Sequence, residues 1–234
     1  MTKHIGIAAV SPEGAAVCYR DIFRRASTLI GTEGHPVVSV YTEPLDKYIQ
    51  ALMRDDWHTI GGLLRHSAEQ LARAGAEFCI TPDNVIQHAI HLAEVGSPIP
   101  WLTMTDLVAD RICADGRKTV GVIGTKLVMF GSTYQTTLGI RGVKVIAPDA
   151  RDAEAIDAII FRELIRGEIV DASRTRMIEA INRLADRGAE GVVLGCSEGP
   201  LLVNQSVSTL PLYDSVALLA DGAVRRAMAE GATV

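Results

Sequence analysis

Along the chain, short apolar runs rich in β-branched residues alternate with longer segments whose apolar positions recur every three or four residues. The short runs fall at 5–10, 37–41, 77–81, 99–102, 119–124, 143–147, 191–194 and 210–212, lengths that suit strands buried on both faces. The longer segments, 15–29, 57–74, 85–94, 131–138, 153–166 and 173–187, read as amphipathic helices that cover a sheet. Strands and helices taken in turn predict βαβ units, and hence an α/β protein with parallel sheets. Ligands of such sheets bind beyond the carboxyl ends of the strands, so the residues just after each run are the first candidates for chemistry.

Two stretches are near copies: Leu71-Ala72-Arg73-Ala74-Gly75-Ala76-Glu77 and Leu184-Ala185-Asp186-Arg187-Gly188-Ala189-Glu190. Each leads into an apolar run that ends near a reactive side chain, Asp83 eight positions after Gly75 and Cys196 eight positions after Gly188. Lys3-His4-Ile5-Gly6-Ile7 likewise matches Lys118-Thr119-Val120-Gly121-Val122 at an offset of 115, close to the 113 that separates Asp83 from Cys196. This pattern predicts an internal duplication with Asp83 and Cys196 as equivalents. Residues 1–98 with the tail 212–234 are expected to form one lobe and 99–211 the other, the last short strand crossing back to the first. No Pro/Gly/Ser-rich linker separates them.

With 234 residues, 48% hydrophobic and 22% charged, the chain can bury a large core as one large domain or two small ones. A formal charge of -5 and only 5% aromatic residues supply neither the basic surface nor the stacking platforms of a nucleic-acid binder. No apolar run approaches membrane-spanning length and the first residues do not read as a signal peptide, so the cytoplasm is expected. Cys18, Cys79, Cys113 and Cys196 lack C-x-x-C spacing, which argues against a disulfide framework or a structural zinc site. His88 and His91 share a helix face but have no evident third ligand, and no metal is expected. Neither G-x-G-x-x-G nor G-x-x-x-x-G-K-[ST] occurs in place, and no lysine stands out as a pyridoxal anchor; the expectation is an enzyme without cofactor.

Cys196 lies in Leu194-Gly195-Cys196-Ser197-Glu198-Gly199-Pro200, a strand followed by a small-residue turn and a helix start. Backbone N–H groups and a helix end there would favour thiolate over the ordinary pKa of about 8.5. An isolated cysteine at a strand end is more often a small core residue, but the mirrored position of Asp83 favours chemistry. Asp83, in Thr81-Pro82-Asp83-Asn84-Val85-Ile86-Gln87, reads locally as a helix N-cap, and Asn84 with Gln87 has capping-box spacing. Asn84, Thr125, Thr133, Ser197 and Glu198 are polar residues at strand ends or helix starts suited to fixing a small carboxylate or amine.

These features together resemble the aspartate/glutamate racemase family of cofactor-independent amino-acid racemases, with its hydantoin racemase, arylmalonate decarboxylase and maleate isomerase relatives. The resemblance runs through Ile5-Gly6-Ile7, Ser11-Pro12-Glu13, Tyr19-Arg20, His35-Pro36, Gly75-Ala76-Glu77, Gly121-Val122-Ile123-Gly124-Thr125, Thr133-Tyr134 and Asp214-Ser215. Its most specific element is Gly195-Cys196-Ser197-Glu198. It implies two Rossmann-like lobes related by pseudo-two-fold symmetry, with an active site in the cleft between them. One catalytic thiol would come from each lobe, one taking the α-proton and the other returning one. Cys196 matches the second thiol; the first falls at Asp83, where the family pattern Cys-Asn-Thr reads Asp83-Asn84-Val85. A histidine common one helical turn after Asp-Ser is also replaced, by Leu218-Leu219. Ser11 and Val85 join Asn84 in the expected substrate-binding set, and by position Lys47 with Arg162 or Arg166 are the cations available to an acidic side chain.

Three readings follow. The first is a racemase of a small, acidic amino acid using Asp83 and Cys196. The second is a single-thiol decarboxylase or isomerase of a small carboxylic acid. The third is a non-enzymatic small-molecule binding protein on the same scaffold. The expected partner is a small molecule, with no nucleic acid and no membrane; a homodimer is the one protein assembly left open.

Overall fold

A computed structural model of the chain describes residues 2–31 and 34–229. The chain divides into two compact units, Met1–Met104 with Val216–Val234 and Thr105–Ser215. In the first, β1 (Ile5–Ala9), α1 (Pro12–Ile30), β2 (Val38–Thr42), α2 (Leu45–Met53), α3 (Trp57–Arg73) and β3 (Phe78–Ile80) are followed by a 3-10 turn, Val85–Ala89, and α4 (Ile90–Glu94). The strands are parallel in the order β2-β1-β3. Trp101 adds one parallel bridge to Cys79 of β3. The chain leaves along α5 (Met104–Ala114).

The second unit carries β4 (Thr119–Gly124), α6 (Lys126–Met129), α7 (Ser132–Gly139), β5 (Lys144–Ile146), α8 (Ala150–Arg162), α9 (Asp171–Asp186), β6 (Val192–Gly195), α10 (Gly199–Leu202) and β7 (Leu212–Asp214). All pairs are parallel, in the order β5-β4-β6-β7. The helix α11 (Ser215–Met228) returns to the first unit, where the Lys3 amide donates to Ala227 O at 2.8 Å. The apolar runs become central strands because both faces are covered: every residue of β1 is buried. Ile60, Leu64 and Leu71 of α3 fill one core, and Ile156, Ile181 and Leu184 of α8 and α9 fill the other. Among the described residues, no helix is long and apolar enough to cross a membrane.

The sequence repeat has a physical basis that recurs in each unit. The helices α3 and α9 end alike: Gly75 and Gly188 adopt φ of +95° and +90°, which costs least at glycine. The amides of Gly75 and Ala76 bond back to Ala72 and Leu71, and those of Gly188 and Ala189 to Ala185 and Leu184, at 2.8–2.9 Å. The glutamate that follows locks the central strand. The Glu77 amide donates to His4 O while its carboxylate accepts from the His4 amide, both at 2.9 Å. Glu190 does the same at β4, donating to Thr119 O at 2.8 Å and accepting from Lys118 N at 2.6 Å and Thr119 N at 3.3 Å. A Cβ at Gly6 would meet Ala76 at 3.0 Å and Leu71 at 3.1 Å, and one at Gly121 would meet Leu184 at 2.7 Å. Glycine in each central strand therefore lets the helix that ends at the repeat lie close.

Two expectations are corrected. The lobe boundaries expected at 98/99 and 211/212 lie at 104/105 and 215/216. The first shifts because Trp101 pairs with Cys79 and keeps its segment on the first sheet. The second shifts because the last strand, Leu212–Asp214 rather than 210–212, pairs with β6 instead of crossing back. The predicted helices 85–94 and 153–166 are each broken, the first into a 3-10 turn and α4, the second after Arg162 by the 3-10 turn Leu164–Arg166. The helices α2, α5 and α11 have no counterpart in the sequence reading.

Candidate active site

Beyond the carboxyl end of β6, the register places Gly195 beside Gly124 of β4. A Cβ on Gly124 would lie 2.6 Å from Gly195 O, and one on Gly195 2.7 Å from Val128. Only glycines let these two strand ends approach so closely. Cys196 follows directly and is 8% exposed. Its Sγ donates to Glu198 Oε2 at 3.0 Å, and Ser197 Oγ donates to the same oxygen at 2.9 Å. Glu198 is itself only 6% exposed, so a thiol and a carboxylate share a small dry site. Burial pushes the thiol well above its ordinary range, and the Glu198 charge and hydrogen bond push the same way. The backbone N–H groups of Glu198 and Gly199 act in the opposite sense but do not prevail. Burial and the neighbouring carboxylate therefore oppose the thiolate that the sequence favours: α10 is a single turn, too short for a full helix end, and Glu198 two residues on favours the proton on sulfur.

Thr125, at the end of β4, caps α6 without a side-chain hydrogen bond. Its buried Oγ1 has no hydrogen-bond partner among the described residues. Thr133 is half-buried in the first turn of α7, beside buried Tyr134. Lys126, next to Thr125, donates from Nζ to Glu154 and from its amide to Asp157. These groups belong to the second unit, with Ser197, Glu198 and Cys196.

In the first unit Asp83 follows β3 as Cys196 follows β6. Its Oδ1 accepts from the Val85 amide at 2.9 Å and the Ile86 amide at 3.3 Å, so the N-cap reading holds for one carboxylate oxygen. Asp83 is half-buried, as is Val85, and Asn84 is buried. Gln87 does not reach back as a capping box requires. Its Nε2 donates to Thr81 O and Asp83 O at 2.9 and 3.0 Å, and its Oε1 accepts from the Met104 amide at 3.2 Å. Ser11 is the N-cap of α1, accepting from the Gly14 amide at 3.0 Å.

The expected cations differ in availability. Lys47, on α2, pairs with Glu43 at 2.7 Å, and Glu43 also accepts from Tyr41 Oη at 3.0 Å. Arg162 ends α8 and is exposed, as is Arg166. Cys18 and Cys79 are buried and Cys113 is exposed; burial raises the Cys79 thiol to about 12. His88 and His91 stack edge-to-face, 5.5 Å between ring centres. Among the described residues, no group of three or more His, Cys, Asp or Glu could hold a metal ion. Sequence reasoning places Glu198 among the substrate contacts and misses its bond to the thiol; its place two residues after Cys196 is the signal for that pairing. Gln87 was read as part of a cap, and only its tertiary partner Met104 reveals what it does.

Comparison with known proteins agrees with this architecture. The chain is similar to a candidate Asp/Glu racemase from Yersinia pestis, with 30% identity, 97% of this chain and 99% of that one covered, and a TM-score of 0.90. An aspartate racemase homologue from Pyrococcus horikoshii OT3 is 26% identical over 97% of this chain and 99% of its own, with a TM-score of 0.87. The aspartate racemase of Picrophilus torridus shares the fold at 18% identity over 96% of this chain and 94% of that one, with a TM-score of 0.76. The sequence model for Asp/Glu/hydantoin racemases matches residues 7–223, nearly the whole of both units, and the chain belongs to that family.

Proposed function

We propose that the protein is a cofactor-independent amino-acid racemase that moves the α-proton of a small, acidic amino acid between Asp83 and Cys196. The observation that carries this reading is the pairing of Cys196 with Glu198 just after β6, with Asp83, bound by the Val85 amide, in the corresponding place eight residues after the repeat glycine and three beyond β3. Racemisation needs two groups of opposite proton state, one to take a proton and one to give it. Two amide donors favour Asp83 as carboxylate, and burial keeps Cys196 as thiol. In that state the Cα–H bond breaks towards Asp83, its electron pair passes into the substrate carboxyl as an enolate, and the Cys196 S–H proton returns to the opposite face. The products are protonated Asp83 and a Cys196 thiolate. The reverse direction starts from that second state, and Glu198 and solvent reset the first.

Thr125 and Ser197 are suited to hold the substrate carboxylate, since Thr125 Oγ1 lacks a partner among the described residues. Asn84, Val85, Thr133 and Ser11 complete the proposed substrate contacts. An acidic side chain calls for a cation; Arg162 is exposed, whereas Lys47 would have to exchange Glu43 for the substrate. The exchange of aspartate for cysteine at 83 makes the two directions unequal. Enantiomers have an equilibrium constant of unity, so the inequality falls on kcat and KM separately and not on their ratio.

One observation favours a second reading, decarboxylation or isomerisation of a small carboxylic acid by Cys196 alone: Asp83 Oδ1 is committed to the cap. Deuterium uptake from D2O into the enantiomers of aspartate and glutamate, run beside related diacids, decides. Uptake at Cα with loss of optical activity supports racemisation, whereas loss of a carboxyl carbon or double-bond isomerisation supports the second reading. Racemisation also requires that both groups reach one carbon. In Asp83→Cys a short bis-alkylating reagent is expected to cross-link residues 83 and 196, and no cross-link would count against the two-base reading.

A further inference from the structure

We propose that Gln87 is the positioning residue of the Asp83 loop, performing in the first unit the task that Ser215 performs in the second. Equivalent backbone positions in the two units carry this assignment. Thr81 and Leu194 each lie six residues after the repeat glycine, at the carboxyl end of the third strand of their unit. Met104 and Ser215 each begin the helix that leaves its unit. Cys79 and Val192, each four residues after the repeat glycine, pair with Trp101 and Leu212, and Met104 and Ser215 lie three residues after those partners.

In the second unit Ser215, fully buried, closes this corner by donating from Oγ to Leu194 O at 2.8 Å. In the first unit the corresponding residue is methionine, whose side chain has no donor for that carbonyl. Gln87, 5% exposed, supplies the connection. Its Nε2 donates to Thr81 O at 2.9 Å and its Oε1 accepts from the Met104 amide at 3.2 Å. A third bond, from Nε2 to Asp83 O at 3.0 Å, has no counterpart in Ser215 and fixes the peptide that carries the carboxylate. Both groups of a buried amide are thereby used, which makes the brace costly to break. Gln87 touches no reacting atom; it sets where Asp83 sits.

The catalytic part of this inference rests on the proposed role of Asp83, and the experiment separates the two. Amide hydrogen exchange is measured by NMR on the full chain for wild type, Gln87→Met and Gln87→Glu. The methionine keeps the size of the side chain and loses all three bonds, whereas the glutamate keeps the acceptor for Met104 and loses both donors. Exchange at the Val85 and Ile86 amides, which Asp83 caps, is expected to rise at least about tenfold in both variants. The Met104 amide should be released only in Gln87→Met, and the Gly199 amide of the second unit should be unchanged. Unchanged exchange at Val85 and Ile86 would overturn the proposal whatever Asp83 does, as would acceleration that is equal throughout the chain. If Gln87→Met does not fold, Gln87→Glu decides alone. In turnover of aspartate or glutamate, Gln87→Met should lower kcat with little change in KM and add nothing once Asp83 is already alanine. Wild-type turnover in Asp83→Ala would remove the racemase reading but leave the exchange result standing; a full additional loss from Gln87→Met in Asp83→Ala would show that Gln87 acts elsewhere.

Discussion

The strand-end loops at Thr81–Gln87 and Leu194–Gly199 sit on the same scaffold yet hold their reactive groups in opposite ways. Both follow a helix closed by a positive-φ glycine and a glutamate that grips the central strand. From there they diverge. Asp83 is half-buried and solvated by two amides, the surroundings of an anion. Cys196 is buried against a carboxylate, the surroundings of a protonated thiol. A duplicated fold supplies equivalent positions, but the immediate neighbours of each position decide its proton state. Under the proposed racemase reading, an asymmetric pair of this kind would run first in one direction without prior proton exchange.

The largest effect is expected at the thiol. Cys196→Ala should lower turnover by at least about 10³-fold, while alanine at Cys18, Cys79 or Cys113 should leave it within a few-fold. Retained activity in Cys196→Ala would end the comparison, since only one loop would then carry chemistry. Asp83 comes next and needs two variants, because its cap and its proposed proton transfer are separable. Asp83→Asn keeps a cap acceptor but cannot take a proton, so a loss of about 10²-fold is expected with little change in stability. Asp83→Ala should lose as much activity and, in addition, about 1 kcal/mol of stability from the missing cap. Equal wild-type rates in both variants would make Asp83 a cap and nothing more. Asp83→Cys should bring kcat for the two enantiomers closer together.

Glu198 tests the second loop from the other side. Its charge and hydrogen bond raise the Cys196 thiol, so Glu198→Gln should let the thiolate form at lower pH. The readout is the pH dependence of alkylation at Cys196 with the other cysteines replaced. Turnover is expected to fall on the order of tenfold, because a proton acceptor has been lost even though the thiol ionises more readily. A thiol titration unmoved by Glu198→Gln would mean that burial alone keeps Cys196 protonated.

Most of the strands and the repeat were legible in the sequence because each has a local cause, whereas the run 99–102 forms only the bridge at Trp101. Runs such as 120–124 are buried on both faces and so carry no polar side chain, and the repeat glycines and glutamates act on neighbouring backbone. The helix α11 was not legible: Val216, Leu219, Ala220, Ala223 and Ala227 are buried, but alanines and Gly222 blur the apolar period. The lobe boundaries depended on which sheet edge Trp101 and Leu212 join, a tertiary choice. The places of Asp83 and Cys196 after corresponding strands were likewise legible from the repeat. The proton state of Cys196 was not, because small residues before a helix suggest a thiolate until a carboxylate is placed 3.0 Å away. Gln87 illustrates the same limit, since its spacing fits a local cap and its use lies with Met104, 17 residues on.

The smallest effect concerns the scaffold that the two loops share, and it is read from stability. Glu190 accepts two amides, from Lys118 and Thr119, where Glu77 accepts one, from His4. Replacing each by glutamine should therefore lower the urea midpoint more at 190 than at 77. The bonds from Lys118 and Thr119 lower the Glu190 carboxyl from its ordinary 4.5. A carboxyl whose folded pKa is depressed adds stability that is fully present above its unfolded pKa and is lost as pH falls through the folded one. The difference between wild type and Glu190→Gln should thus be constant near neutral pH and shrink below about 4.3. A difference independent of pH down to strong acid would show that the neutral side chain fastens β4 as well as the charged one. The grip would then come from shape and hydrogen-bond count alone.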